Sequence, residues 1–325
     1  MKEKVIVVLG PTATGKTSLA VNIARNYNAE IISADSRQVY KGLDIGTGKD
    51  ISEYSGNDWN IPYHLIDIAE PNYNYNLKDF CIDTEQALCE IRKNGKNAVI
   101  AGGTALYLDA ILNGYTLPGP PPDKDLRESL HKKTTEELQE LCKKEVPDYF
   151  ETQEKNNRTR IIREIEKKVC PNNQIEPINS KYNFLIVAPY FHRKIVHSRI
   201  EQRLDERFEE GMIEEVQNLH DNGVSWERLD YFGLEYRYIA RYLQKQITRE
   251  ELKEQLFIKI RQFAKRQDIW FRKLERKGLD IYWVDKGNFA DAQTIIDKFL
   301  NNESLPKPQI RINDIHYGPI SSIGK

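Results

Sequence analysis

The sequence predicts an α/β protein: a P-loop NTPase-like parallel sheet core with a helical insertion domain. Three observations predict it. Gly10, Pro11, Thr12, Ala13, Thr14, Gly15, Lys16 and Thr17 fit the pattern G-x-x-x-x-G-K-[ST]. This run lies between Val5-Ile6-Val7-Val8-Leu9, a short apolar run that reads as a buried strand, and a helical pattern over residues 17–27. The first hundred residues then alternate strand and helix, and a proline-rich break at 118–122 opens a stretch of helical pattern.

Each element has its own signal. A second short strand covers Ile31-Ile32-Ser33-Ala34, a third His64-Leu65-Ile66-Asp67-Ile68, and a fourth Ala98-Val99-Ile100-Ala101, closed by Gly102-Gly103. Residues 77–93 carry the apolar spacing of an amphipathic helix. Thr104 stands at a helix start, where its hydroxyl could cap. Helices are expected over 123–144 and 155–169, a further core strand at 184–188, and mostly charged helix from His192 onward. A last strand at 281–284 and a helix at 290–300 complete the pattern. The predicted organisation is therefore a first core part, 1–117, a helical insertion, 118–181, a mostly helical core completion, 182–305, and a flexible tail, 306–325.

Composition narrows the class of function. The 325 residues carry 30% charged side chains and a net charge of -1, so a globally basic nucleic-acid binder is not indicated. No apolar run approaches the roughly 18 residues of a membrane span, and no leader fits ahead of the first strand. Cys81, Cys89, Cys142 and Cys170 form neither C-x-x-C nor a zinc spacing. Reduced thiols in a cytoplasmic protein are expected.

The phosphate loop supplies the first candidate chemistry. Backbone N–H groups of the loop and the helix start form a nest for an anion, Lys16 adds a point charge, and the Thr17 hydroxyl is placed to ligate Mg²⁺. Asp35 ends the second strand, at the carboxyl edge where ligands bind in such sheets. It can accept a proton from an attacking nucleophile, or simply cap a turn with Ser36. No Walker-B aspartate is visible, because the next buried strand ends in Ala101-Gly102-Gly103-Thr104. That counts against a motor-type ATPase and suits a small-molecule transferase. Arg199 and Arg203, one helical turn apart, could meet a pyrophosphate or pair with nearby acids.

Two stretches are locally basic. Residues 155–168 have a local charge of +4, and residues 259–277 one of +6, the latter interleaved with Phe263, Trp270 and Phe271. Basic and aromatic side chains together suit an RNA with unstacked bases, with Arg261, Lys265 and Arg266 as candidate contacts. For either helix alone a solvated charged face over an aromatic core stripe is the better account; two such stretches beside a phosphate loop bring an RNA partner level with it.

Taken together these residues resemble the tRNA dimethylallyltransferases, also called tRNA isopentenyltransferases, of bacterial type. Besides the phosphate loop, the resemblance rests on Asp35-Ser36-Arg37-Gln38-Val39-Tyr40, Asp44-Ile45-Gly46-Thr47-Gly48-Lys49, Gly102-Gly103-Thr104-Ala105-Leu106-Tyr107 and Arg199-Ile200-Glu201-Gln202-Arg203. Its longest motif runs from Arg261 to Arg272. The resemblance implies transfer of a dimethylallyl group from dimethylallyl diphosphate to N6 of the adenosine 3′ to the anticodon. The tRNAs are those reading codons that begin with U. The loop and Mg²⁺ would hold the diphosphate, Asp35 would be the general base, and Thr104 and Arg203 would assist. It also implies tRNA contacts at Asp35, Ser36, Arg37, Gln38, Thr104, Thr159, Arg160, Ile161, Ile162 and Arg163, with the helical insertion on the anticodon stem-loop. A monomer without membrane contact is expected. The sequence departs from the family pattern at Glu235, where a glycine is usual, and in a longer loop over 50–60. A small-molecule P-loop kinase using ATP and a non-catalytic RNA-binding adaptor are the competing readings.

Overall fold

Val5 to Leu9 are all buried, as a strand covered on both faces requires, and they make β1 (Glu3–Leu9) the centre of the sheet. The computed structural model describes residues 2–115, 126, 129–130, 132–150, 157–169 and 176–315. One compact unit lies within Met1–Asn113 and Lys181–Lys325, and a second within Gly114–Ser180.

The sheet of the first unit has six strands: β1, β2 (Ala29–Ser33), β3 (Tyr63–His64), β4 (Asn97–Gly102), β5 (Tyr182–Tyr190) and β6 (Ile281–Asp285). Their order is β3-β2-β4-β1-β5-β6, and every pairing is parallel. Val7 faces Ile100 on one side and Ile186 on the other. Parallel strands need crossover connections, and α1 (Lys16–Asn26), α2 (Leu77–Lys93) and α3 (Ala105–Asn113) cover the sheet. Leu19, Ile23, Ile31, Val99 and Ile296 share one apolar cluster with Ile6 and Val8.

The carboxyl ends of β1, β2 and β4 converge because two residues there lack a side chain. A Cβ on Gly102 would collide with the Ala34 backbone, and one on Gly103 would sit 3.4 Å from Gly10 O. Ala34 N donates to Ala101 O at 2.8 Å, and Thr104 N to Ala34 O at 3.2 Å.

Three expectations are corrected. The strand foreseen at His64–Ile68 stops at His64, because Leu65 and Asp67 turn to φ 63° and 57°. That bend returns the chain to Gln38 and Val39, whose carbonyls accept from Asp67 N and Ile68 N. The long loop contains a one-turn helix, Ile51–Tyr54, and a short hairpin pairing Ser55–Gly56 with Trp59–Asn60. The first half of the tail is packed rather than loose. Ile312 and Ile315 are buried, and Ile312 N donates to both oxygens of Glu275 at 3.2 Å. Residues 316–325 lie outside the described residues.

In the second unit, α4 (Thr135–Glu145) and α5 (Arg158–Val169) pack Leu138 and Cys142 against Ile161, Ile162 and Ile165. The helix expected over 123–144 is interrupted at residues 132–134, where Thr134 caps the start of α4; residues 123–125, 127–128 and 131 lie outside the described residues. The first unit also holds α6 (Arg193–Glu209), α7 (Met212–Asp221), α8 (Trp226–Phe232), α9 (Leu234–Leu243), α10 (Arg249–Arg276) and α11 (Phe289–Leu300). Among the described residues no helix is long and apolar enough to cross a membrane.

Gly102→Ala is expected to lower stability by about 1–3 kcal/mol, the usual range for overpacking a filled site. Calorimetric unfolding of the variant beside the parent measures it. An unchanged Tm shows that β2 and β4 can part without cost.

Candidate active site

The loop after β1 is built to receive an anion. Gly15 sits at φ 77°, a left-handed value suited to glycine, and Ala13 also turns to φ 62°. Thr14 Oγ1 donates to Pro11 O at 2.8 Å and closes the loop. No side chain caps α1, so its first N–H groups are left for a ligand. Lys16 Nζ rests on Pro11 O at 2.7 Å.

Lys16 is electrostatically stressed. Burial pushes its pKa down to about 8; Arg203 pushes it further in the same direction, and Asp35 opposes them. A cation held so close to losing its proton gains most from an incoming polyanion.

Asp35 leaves β2 on the far side of β4 from the loop. Its Oδ1 accepts from Arg37 N at 2.8 Å, so the turn foreseen as an alternative role is present. The second carboxylate oxygen is not consumed by that turn. Thr104 was expected to cap α3; instead its Oγ1 accepts from Ser36 N at 2.9 Å and ties the two strand ends together. Gln38 is held from both ends, its Oε1 taking Ser33 Oγ at 2.9 Å and its Nε2 giving to Gly48 O at 3.0 Å.

Helix α6 points three arginines, each one turn on, along this edge. Arg199 reaches Ala13 O at 3.5 Å, Arg203 pairs with Asp50, and Arg207 donates to Gly46 O at 3.3 Å. Arg203 and Arg207 both press on the place where Gly48 would carry a Cβ. Sequence reasoning found the first two and missed Arg207. It also missed what Glu235 does. That carboxylate is buried 3.5 Å from Arg207, and burial raises its pKa, against the pull of Arg207. Glu215 was missed too. It accepts the N–H groups of Asp44, Ile45 and Gly46 and the Tyr236 hydroxyl, which docks the whole glycine loop on α7 and α9.

Gln267 is the largest omission. Its Oε1 accepts from Thr12 N and its Nε2 donates to Gly103 O, both at 2.9 Å. A buried glutamine therefore fixes the phosphate loop to the end of β4. The Q-x-x-x-x-Q spacing of Gln262 and Gln267 within a basic helix was the only available signal, and it does not say which glutamine faces inward.

On the opposite side of the loop from Asp35, a cavity of about 320 Å³ opens between α6 and α10. Pro189, Phe191, Val196 and Trp283 line it with apolar surface, and Arg193, Arg261, Lys265 and the buried Asp268 add charge. His197 in its wall is held below its ordinary pKa, first by burial and then by Arg261 and Arg193. Arg266 projects from α10 as an exposed residue.

The second unit gives a mixed answer. Arg160 is exposed, and Arg163 pairs with Glu166 at 3.1 Å. Ile161 and Ile162, expected as RNA contacts, are 1% and 2% exposed; they are the apolar stripe that packs this unit's core. Thr159 is part of α5, and its side chain lies outside the described residues.

The family model described as IPP transferase matches residues 38–274, and one described as isopentenyl transferase matches 3–56. The chain is 42% identical over 292 residues to tRNA dimethylallyltransferase 1 of Syntrophus aciditrophicus, covering 89% of this chain and 96% of the relative. It is 46% identical over 294 residues to tRNA dimethylallyltransferase 2 of Treponema denticola, covering 88% and 97%. The chain belongs to the tRNA dimethylallyltransferase family. A solved member, the full-length tRNA isopentenylpyrophosphate transferase of Bacillus halodurans, superposes with a TM-score of 0.66 at 31% identity, covering 93% of this chain and 96% of that one. A eukaryotic dimethylallyltransferase solved while acting on tRNA shares the fold at a TM-score of 0.77 and 23% identity, covering 94% and 81%. The fold is thus the P-loop NTPase-like one, and membership of the tRNA dimethylallyltransferase family speaks for a transferase over a kinase.

The Lys16 shift predicts a pH dependence. A bound diphosphate favours charged Lys16, so its pKa rises on binding and affinity falls as pH climbs through about 8. The affinity advantage of the parent over Lys16→Met for inorganic diphosphate should shrink by about tenfold per pH unit above that point. Titration calorimetry from neutral to alkaline pH measures it, and a constant advantage refutes it.

Proposed function

We propose that this protein transfers the dimethylallyl group of dimethylallyl diphosphate to N6 of the adenosine 3′ to the anticodon in tRNAs reading codons that begin with U. The observation that carries the reading is the pairing of an uncapped phosphate nest with a carboxylate across one sheet edge. In this reading Lys16 and Arg203 would serve the leaving group and Asp35 the nucleophile.

The C1–O bond of the donor breaks, and its electron pair leaves with diphosphate. The N6–C1 bond forms, and the N6 proton passes to Asp35. Loop N–H groups, Lys16 and Arg203 hold the charge that develops on the leaving oxygen. The cavity beside the loop combines apolar lining with Arg193, Arg261 and Lys265 against one acid, Asp268, a mix that suits an anion that also carries hydrocarbon.

Mg²⁺ fits the residues present. The described residues hold no group of three His, Cys, Asp or Glu side chains for a metal, whereas Mg²⁺ binds through substrate phosphate, water and one or two protein oxygens. The Thr17 hydroxyl, in the first turn of α1, would hold it. When bound, it neutralises charge on the departing diphosphate.

On the RNA side, Ser36, Arg37, Gln38 and Thr104 would surround the extruded adenosine. Arg160 and Arg163 of the insertion would meet the anticodon stem-loop, and Arg261, Lys265 and Arg266 would meet phosphates. We take the working form to be a monomer acting on cytoplasmic tRNA.

The test is direct: protein, Mg²⁺, labelled dimethylallyl diphosphate and unmodified tRNA. Label is expected in the RNA, dependent on the metal. ATP turnover without label transfer favours the kinase, and RNA binding with neither reaction favours the adaptor. Asp35→Asn preserves the turn to Arg37 N but removes the base. It should keep tRNA affinity and lose about 100-fold or more of the single-turnover rate. Transfer at the parent rate excludes Asp35 as base.

A further inference from the structure

Tyr231, in the last turn of α8, presents its ring to solvent at 51% exposure. Two guanidiniums lie over its ring in cation–π contact, Arg228 at 4.7 Å and Arg37 at 5.5 Å from the ring centre. Phe232 backs it edge-on at 6.2 Å and 63°.

Both arginines are fixed by neutral acceptors. Arg37 Nε donates to Phe232 O at 2.7 Å. Arg228 donates to Pro71 O at 2.7 Å, to Asn74 Oδ1 at 2.6 Å and to Tyr73 O. No carboxylate lies within ion-pair distance of either among the described residues. The neighbouring acid, Asp230, is engaged by Arg237 at 3.0 Å and Arg241 at 3.6 Å. Carbonyls orient a guanidinium without cancelling its charge. The result is two fixed, uncompensated cations over the ring of an exposed tyrosine.

That combination matches one nucleotide: a base to stack on the ring and a phosphate for the guanidiniums. Its place is set by Arg37, whose own N–H is held by Asp35 Oδ1 at 2.8 Å. The platform therefore begins two residues from the group that would take the N6 proton. We propose that Tyr231, with Arg37 and Arg228, forms a stacking platform for the nucleotide adjoining the modified adenosine in the RNA substrate. The inference rests on the RNA-prenylation reading above. Tyr231 acts by positioning the RNA and takes no part in the bond change.

The experiment uses the whole protein and an anticodon stem-loop RNA with 2-aminopurine beside the target adenosine. The parent and Tyr231→Phe should quench the 2-aminopurine on binding, and Tyr231→Leu should not. Tyr231→Leu should raise the KM for the stem-loop about tenfold, leaving the KM for dimethylallyl diphosphate unchanged. Arg228→Gln should reduce the salt slope of RNA binding by about one. Matching unfolding midpoints establish that the exposed substitution leaves the fold intact. Quenching and KM values in Tyr231→Leu equal to the parent overturn the platform while leaving the transferase reading in place. A parent protein that transfers no dimethylallyl group to full-length tRNA overturns both.

Discussion

The geometry of the site depends on one buried carboxamide. Gln267 accepts from Thr12 N and donates to Gly103 O, so the phosphate loop and the exit of β4 cannot move independently. An unpaired buried amide costs free energy, and Gln267 is satisfied at both ends. Its helix, α10, runs for 28 residues and buries Leu252, Leu256, Ile260, Phe271 and Leu274 on the same molecule. The long C-terminal helix is thus part of the scaffold that holds the phosphate loop and the β4 exit, both encoded in the first 104 residues. That explains why basic and aromatic residues alternate along it: Ala264, Gln267 and Phe271 face in, and Arg261, Lys265 and Arg266 face out.

The sheet core was readable because a buried parallel strand has a strong local signature. The phosphate loop, Asp35 and Gly102-Gly103-Thr104 were readable because each sits where such a strand ends. What could not be read was pairing between distant segments. Nothing in the sequence around Glu215 says that it holds three backbone N–H groups of residues 44–46. Nothing around Gln267 says that its partners lie over 160 positions away. The failed strand at His64–Ile68 has the same origin. Its apolar residues fit a strand, but the left-handed turns at Leu65 and Asp67 are set by bonds to Gln38 and Val39. Ile161 and Ile162 were assigned to RNA by resemblance, although their apolar chemistry already pointed to a core stripe.

Glu235 shows how a departure from a family pattern can be read physically. A glycine there leaves Arg207 without this carboxylate. In this chain the acid lies 3.5 Å from Arg207, while Asp50 pairs with Arg203 one turn earlier. The two arginines crowd the same glycine, Gly48, and repel each other. Two acids from different segments, one on α9 and one beside the long loop, make that crowding tolerable. Burial works against Glu235 keeping its charge, and the nearby guanidinium works for it. The pair is therefore better understood as holding Arg207 in place than as a net source of stability.

The whole chain has a net charge of -1, yet the loop edge is a cationic field. These facts agree because the compensating acids are positioned to leave the anion nest itself uncompensated. Asp50 and Glu235 serve Arg203 and Arg207, and Asp35 is the acid that pulls the Lys16 pKa back up. Lys16 registers the outcome, since burial and Arg203 outweigh Asp35 and pull its pKa down to about 8. A deficit of negative charge around Lys16 suits a ligand that brings its own.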